Sequence, residues 1–101
     1  MNNLLRMGFT ESLINEMISK NDYETVENLD FNYDSLTNIL NFFQIIGIKN
    51  ARGLLINHID IFFLDLERIQ KKFAKKGLSN SVNLINDDID NIVDIIYNDE
   101  A

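Results

Sequence analysis

Cysteine, proline and tryptophan are absent from this chain of 101 residues, glycine occurs four times and histidine once. Without cysteine there are no disulfides, thiolate metal sites or thiol nucleophiles, and a reducing compartment, the cytoplasm, is the expected location. Without proline, and with so little glycine, the chain lacks the residues that punctuate long loops and break helices. No stretch approaches the roughly 20 apolar residues of a membrane span, and the opening MNNLLRMGF has neither the basic region nor the long apolar run of a signal peptide. These absences predict a soluble, unprocessed all-α protein with no membrane association, and the length predicts one domain over 1–101.

What is present is a repeat. From Ser35 to Val93 the chain agrees with itself when shifted by 30 residues: Leu36, Ile39, Phe43, Gly47, Asn50, Ala51, Leu54, Leu55 and Ile59 map without gaps onto Leu66, Ile69, Phe73, Gly77, Asn80, Ser81, Leu84, Ile85 and Ile89. A fixed period of this length marks stacked, solenoid-like units of short antiparallel helices. Two regular units are expected, 35–64 and 65–101, the second closed by an acidic capping helix. A degenerate unit over 1–34 precedes them, with Gly8 in the role of Gly47 at an interval of 39 residues and Ser12 in the small-residue place of Ala51 and Ser81.

The apolar spacing of Ile39, Leu40, Phe43 and Ile46 predicts a helix over about 35–46, with Asp34 or Ser35 as N-cap and Gly47 as the left-handed residue beyond its end. Phe42 and Ile45 widen its apolar arc, so it is expected to pack on two sides. Its copy starts after Asp65 as N-cap and ends at Gly77. A shorter helix follows each glycine, capped by Asn50 in one copy and by Ser79 or Asn80 in the other. The last helix, about 88–98, is capped by Asp87 and Asp88 and turns Ile89, Ile92, Val93 and Ile96 to one face. At the front, a short helix, one over about 10–20 and a segment over 23–29 complete the chain. The run Ile61, Phe62, Phe63, Leu64 reads as core beneath the connection between units, in register with Ile92 and Val93, in preference to an exposed partner anchor.

The unit G-[IL]-x-N-[AS]-x-x-L-[LI], followed by a capped helix L-x-x-I-x-x-x-F-x-x-x-G, resembles the repeat of the mitochondrial transcription termination factor family. GIKNARGLLINHIDIFFLDLERIQKKFAKKG, from Gly47 to Gly77, carries the resemblance best, and MGFTESLINEMISK, from Met7 to Lys20, looks like the same opening. The resemblance implies a curved stack of helical units and nucleic-acid binding along a basic concave face. This chain lacks the proline such units often carry near 59–61, and its net charge is -7.

The charge is segregated: residues 1–46 hold seven acids and two bases, 47–77 three acids and seven bases, and 78–101 six acids and no base. The candidate binding surface is basic: Arg68, Lys71, Lys72, Lys75 and Lys76, placed opposite Leu66, Ile69 and Phe73, joined by Lys49 and Arg52 in one patch. Such a patch neutralises anionic groups on a partner, whereas its bland counterpart is a solvated helix face with lysines favouring the C-terminal dipole. The alternative surface is acidic, Asp87, Asp88, Asp90 and Asp94, extended by Asp99 and Glu100, and imitates a phosphate backbone. Asp87, Asp88 and Asp90 do not make a calcium loop, because Ile92 and Asn98 stand where its glycine and final glutamate belong. His58, with Asp60 as its only nearby acid, reads as structural, and no nucleophile, phosphate loop or ligand set offers a carrier for catalysis.

The reading is therefore a non-catalytic helical protein without metal or cofactor that binds a macromolecule, foremost a protein. The second reading is an acidic inhibitor of a defence nuclease that mimics nucleic acid and is encoded by a phage or mobile element. Nucleic-acid binding through helix 65–76 comes third. A homodimer that hides Leu4, Leu5 and Phe9 is weighed beside a monomer. The 15 asparagines and 15 isoleucines share AT-rich codons and read as coding bias.

Overall fold

Helices account for most of residues 1–98, the part of the chain that the structure, a computed structural model, describes. Among these residues there are eight α-helices and no strand: α1 (Asn2–Arg6), α2 (Glu11–Lys20), α3 (Tyr23–Phe31), α4 (Tyr33–Ile46), α5 (Ala51–Asn57), α6 (Leu66–Lys76), α7 (Leu78–Asp87) and α8 (Asn91–Tyr97), with a 3-10 helix at Ile59–Phe63 between α5 and α6. The all-α helical stack expected from composition is what forms. It is elongated, 39 × 22 × 22 Å. At one end α2 packs on α3 and α5, and α1 on α3; at the other, α6, α7 and α8 pack on one another. The long helix α4 joins the two ends through α3, the 3-10 helix and α6.

Chain-local chemistry sets several helix ends. Thr10 Oγ1 accepts the Leu13 N–H at 3.1 Å, and Asn50 Oδ1 accepts the Gly53 N–H at 2.9 Å, as N-cap residues do. Asp22 accepts the Thr25 N–H at 2.6 Å, and bonding first from the backbone and then from the side chain of Thr25 holds its carboxyl below the usual range. The stability that cap contributes is present above the ordinary aspartate value and is lost as pH falls through the lowered one.

Several expected boundaries are corrected. α4 starts at Tyr33, so Asp34 and Ser35 lie inside it, and Asn32 precedes it without a side-chain cap. Asp65 stands at the N-cap of α6 but makes no capping bond. α7 starts at Leu78, directly after Gly77, so neither Ser79 nor Asn80 caps it; the Asn80 amide donates to the Lys76 carbonyl instead. α8 starts at Asn91 with Asp90 before it, which leaves Asp87 as the last residue of α7 and Asp88 in the turn, its Oδ1 accepting the Asp90 N–H.

Gly8, Gly47 and Gly77 all have positive φ, 98°, 93° and 94°. After α4, the Ile48 N–H bonds the Phe43 carbonyl at 2.9 Å and the Gly47 N–H the Gln44 carbonyl at 3.3 Å, while Ile48 folds into the core. After α1, the Phe9 and Gly8 N–H groups bond the Leu4 and Leu5 carbonyls in the same pattern. Both are Schellman turns, which need a left-handed residue. Gly77 departs: its ψ is 120°, and the Phe73 carbonyl is bonded by the Ser81 hydroxyl at 3.1 Å. Because open space surrounds a Cβ at Gly47, Gly47→Ala is expected to cost only the left-handed backbone strain, about 1–2 kcal/mol. Chemical denaturation reads this, and an unchanged midpoint would refute the turn's role.

The core runs the length of the stack. Phe43 is its centre, stacked on Phe73 at 5.9 Å and 12° and edge-on to Phe62 at 5.8 Å, while the half-buried Phe42 lies 5.8 Å from Phe73. Ile61 and Phe62 are fully buried, as the reading of this run as core required, but Phe63 faces outward. Ile92 is likewise buried and Val93 exposed. The face expected of α8 is corrected: Ile95, not Val93, joins Ile92 and Ile96 inside. Ile45 is 82% exposed and adds nothing to the core.

Candidate functional site

The amphipathicity of α6 decides which of its bases face solvent. Ile69 and Phe73 are buried and Leu66 half-buried, so Arg68, Lys71 and Lys75, at i, i+3 and i+7, form a stripe on the outer side. Lys76 is exposed at the last turn. Lys72 is half-buried beside the buried seam and is engaged within the chain, so the expectation that all five bases lie opposite the core is corrected. Asp65, Glu67, Arg68, Lys71 and Lys72 line an open depression of about 370 Å³ along this face. Lys71 Nζ lies 3.1 Å from Glu67, an exposed pair one helical turn apart, and such pairs contribute only about 0.3–0.5 kcal/mol. The stripe thus keeps most of its charge for a partner.

Lys49 and Arg52 are placed differently. Arg52 is ion-paired with Glu16 on α2, and the main neighbours of α5 are α2 and the 3-10 helix, whereas those of α6 are α4, α7 and α8. Lys49 sits in the turn after α4, where its backbone N–H bonds Asn86. Arg52 is therefore compensated by α2 and stands apart from the basic stripe of α6.

The acidic residues are dispersed. Asp90 Oδ1 lies 2.7 Å from His58 Nε2, which corrects the expected partner of His58 from Asp60 to Asp90. Asp60 instead accepts a hydrogen bond from the Tyr97 hydroxyl. Asp88 is turned to the Asp90 N–H, while Asp87 and Asp94 are exposed. Asp99 and Glu100 lie outside the described residues. Among the described residues no group of three or more acids, histidines or cysteines is gathered as a metal site would be.

Packing, then the Asp60 carboxylate, pushes the Tyr97 hydroxyl up to about 12, with Arg68 of the basic stripe pulling the other way. A raised tyrosine value favours the protonated side chain in the folded state, so its contribution is complete below about 10 and disappears as pH rises toward 12. Tyr97→Phe is expected to flatten the alkaline limb of the stability-against-pH curve between these values. Denaturation midpoints measured across that range check it; an identical limb in both proteins would refute the Tyr97–Asp60 contact.

Asparagine amides hold the frame around these groups. Asn86 accepts from the Lys49 N–H and donates to the Gly47 carbonyl, both at 2.9 Å, and so ties α7 to the turn after α4. Asn21 donates to the Met17 and Ile56 carbonyls at 2.9 and 3.1 Å, joining the ends of α2 and α5. Asn91 donates to the Leu84 carbonyl at 2.8 Å. The sequence offers no signal for these bridges, because they connect residues 7 to 39 positions apart. Leu4, counted among the apolar residues for a dimer to hide, is fully buried in the monomer, Phe9 is half-buried, and only Leu5 is exposed.

Among the described residues no helix is long and apolar enough to cross a membrane. Comparison with protein-family models, with curated proteins and with solved structures finds no match to this chain.

Proposed function

We propose that the protein is a small, non-catalytic cytoplasmic interaction module that binds another protein through the solvent face of α6. The observation that carries the reading is the stripe Arg68, Lys71, Lys75, continued by Lys76, which stands on the outer side of a well-packed helix in a chain of net charge -7. Surfaces of this kind act by complementarity and require no reactive residue. A protein with an acidic patch fits better than nucleic acid. The chain's own charge repels phosphates, and the one aromatic residue among the bases of α6, Phe73, is fully buried and has no face to offer the bases of a single strand. The matching core positions 30 residues apart, Leu36, Ile39 and Phe43 against Leu66, Ile69 and Phe73, support reading the chain as a short helical repeat of the kind found in the mitochondrial transcription termination factor family. Mimicry of nucleic acid has thinner support, since Asp90 is held by His58 and Asp88 by the backbone of Asp90.

Affinity capture from the source cell with the wild type and with Lys71→Glu/Lys75→Glu in parallel tests this. Both lysines are exposed, so the fold is expected to survive and the partner to be lost by at least about tenfold, as for opposing charges turned alike. Retention of the same proteins by both chains, or tight binding of DNA or RNA oligonucleotides by the wild type at low salt, sinks the reading.

A further inference from the structure

Between Lys20 and Lys49 the chain carries five acids and no base. Asp30 is buried and bonds the start of α1, and Asp22 caps α3. Glu24, Glu27 and Asp34 remain, and among the described residues none of them enters an ion pair or hydrogen bond with another side chain. The same stretch exposes three aromatic rings: Tyr23 at 56%, Phe31 at 71% and Tyr33 at 40%. Tyr23, Glu27 and Phe31 follow one another at i, i+4 and i+8 on α3, so a carboxylate sits between two rings along about 12 Å of helix. Tyr33 opens α4 one residue past the α3–α4 junction at Asn32.

A single exposed apolar residue needs no explanation, but aromatic rings are enriched where proteins bind. The composition of this face selects the occupant. Carboxylates accept guanidinium N–H groups in pairs, and ring faces attract the same cation. An apolar partner would bury Glu27 without a counter-ion, which is costly, and phosphate groups would be repelled. We propose that the Tyr23–Phe31 face of α3 is a docking surface for an arginine-bearing segment of another protein, separate from the α6 stripe and independent of it.

The test uses the full chain and a fluorescein-labelled decapeptide of alternating arginine and glycine, with anisotropy read at about 0.15 M salt, where charges beyond roughly 8 Å are screened. Tyr23→Ala/Phe31→Ala leaves the net charge unchanged and is expected to bind about tenfold more weakly. Glu24→Gln/Glu27→Gln is expected to lose a similar factor, whereas Asp87→Asn/Asp94→Asn, an equal charge loss elsewhere, changes affinity by less than about twofold. Phe31→Tyr keeps a ring and keeps the affinity, which separates a missing contact from a damaged fold. The proposal is overturned by any of four results: no binding of the peptide, full binding by the ring-deleted chain, equal weakening by the two acid pairs, or wild-type self-association that Glu24→Lys/Glu27→Lys abolishes, which would make a second copy the occupant.

Discussion

Phe43→Ala is expected to destabilise the fold by about 3–5 kcal/mol, a large part of the 5–15 kcal/mol that a small domain possesses. The reason is its place rather than its size alone. Phe43 is fully buried and touches rings from three elements, Phe42 on its own helix, Phe62 in the 3-10 helix and Phe73 on α6. α4 joins the two ends of the stack, so a void at this point is bounded by separate helices that cannot close on it without losing contacts elsewhere. In urea the midpoint should fall by roughly 2 M, given slopes of about 1–3 kcal/mol per M. Ile45→Ala, two residues along the same helix and 82% exposed, should stay within about 0.5 kcal/mol. A cycle with Phe73→Ala should return a coupling of about 0.5–1.5 kcal/mol for the stacked pair. Equal effects of Phe43→Ala and Ile45→Ala would show that α4 is packed on the wrong face.

Asp30→Ala is expected to cost about 2–3 kcal/mol, with the damage concentrated in α1. The Asp30 carboxyl is buried, its Oδ1 accepts the Leu4 N–H at 2.9 Å, and its backbone carbonyl accepts the Asn3 amide at 3.1 Å. A helix of five residues has no stability of its own, so α1 persists because α3 supplies an acceptor for its first-turn N–H and covers Leu4. An acid beside that positive end is further favoured by the helix dipole. Removing it leaves a buried donor unpaired. Hydrogen exchange should show the Phe9 and Met7 amides, which close the end of α1, losing protection well before those of α4. Asp30→Asn, which keeps an acceptor oxygen, should lose roughly half as much. Unchanged protection in the alanine variant would refute this tertiary cap.

The two sites differ in how far the chain announces them. Phe43 and Phe73 are visible as members of a helical stripe 30 residues apart, because burial follows apolar periodicity and both helices carry the same pattern. Asp30 gives no such sign. It stands among other acids on a short helix, and its role appears only when α1 is folded against α3. The candidate site divides in the same way. Helical spacing alone puts Arg68, Lys71 and Lys75 on one outer stripe, since one stripe of α6 had to face the core. The half-burial of Lys72, the compensation of Arg52 by Glu16 and the release of Lys71 from all but an exposed partner depend on which helices neighbour α5 and α6.

The asparagines make the contrast sharper. Codon bias accounts for their number, yet Asn21 and Asn86 bond the Ile56 and Gly47 carbonyls at the ends of α5 and α4, and Asn91 adds a second bond to the Leu84 carbonyl beside that from the Asp88 N–H. An amide can serve as donor and acceptor at once, as Asn86 does at Gly47 and Lys49. That use requires two chain segments to meet, and sequence distance carries no information about which ones do.

Helix content, the caps at Thr10 and Asn50, the left-handed turns at Gly8 and Gly47 and the apolar stripes follow from chemistry acting within a few residues, and so they are written in the chain. Which acid faces His58, why Gly77 opens straight into a new helix, which aromatic residues are left outside and how α1 is held are decided by packing between helices. Those contacts join residues tens of positions apart, where local preference has no reach and only the shared core selects the partner.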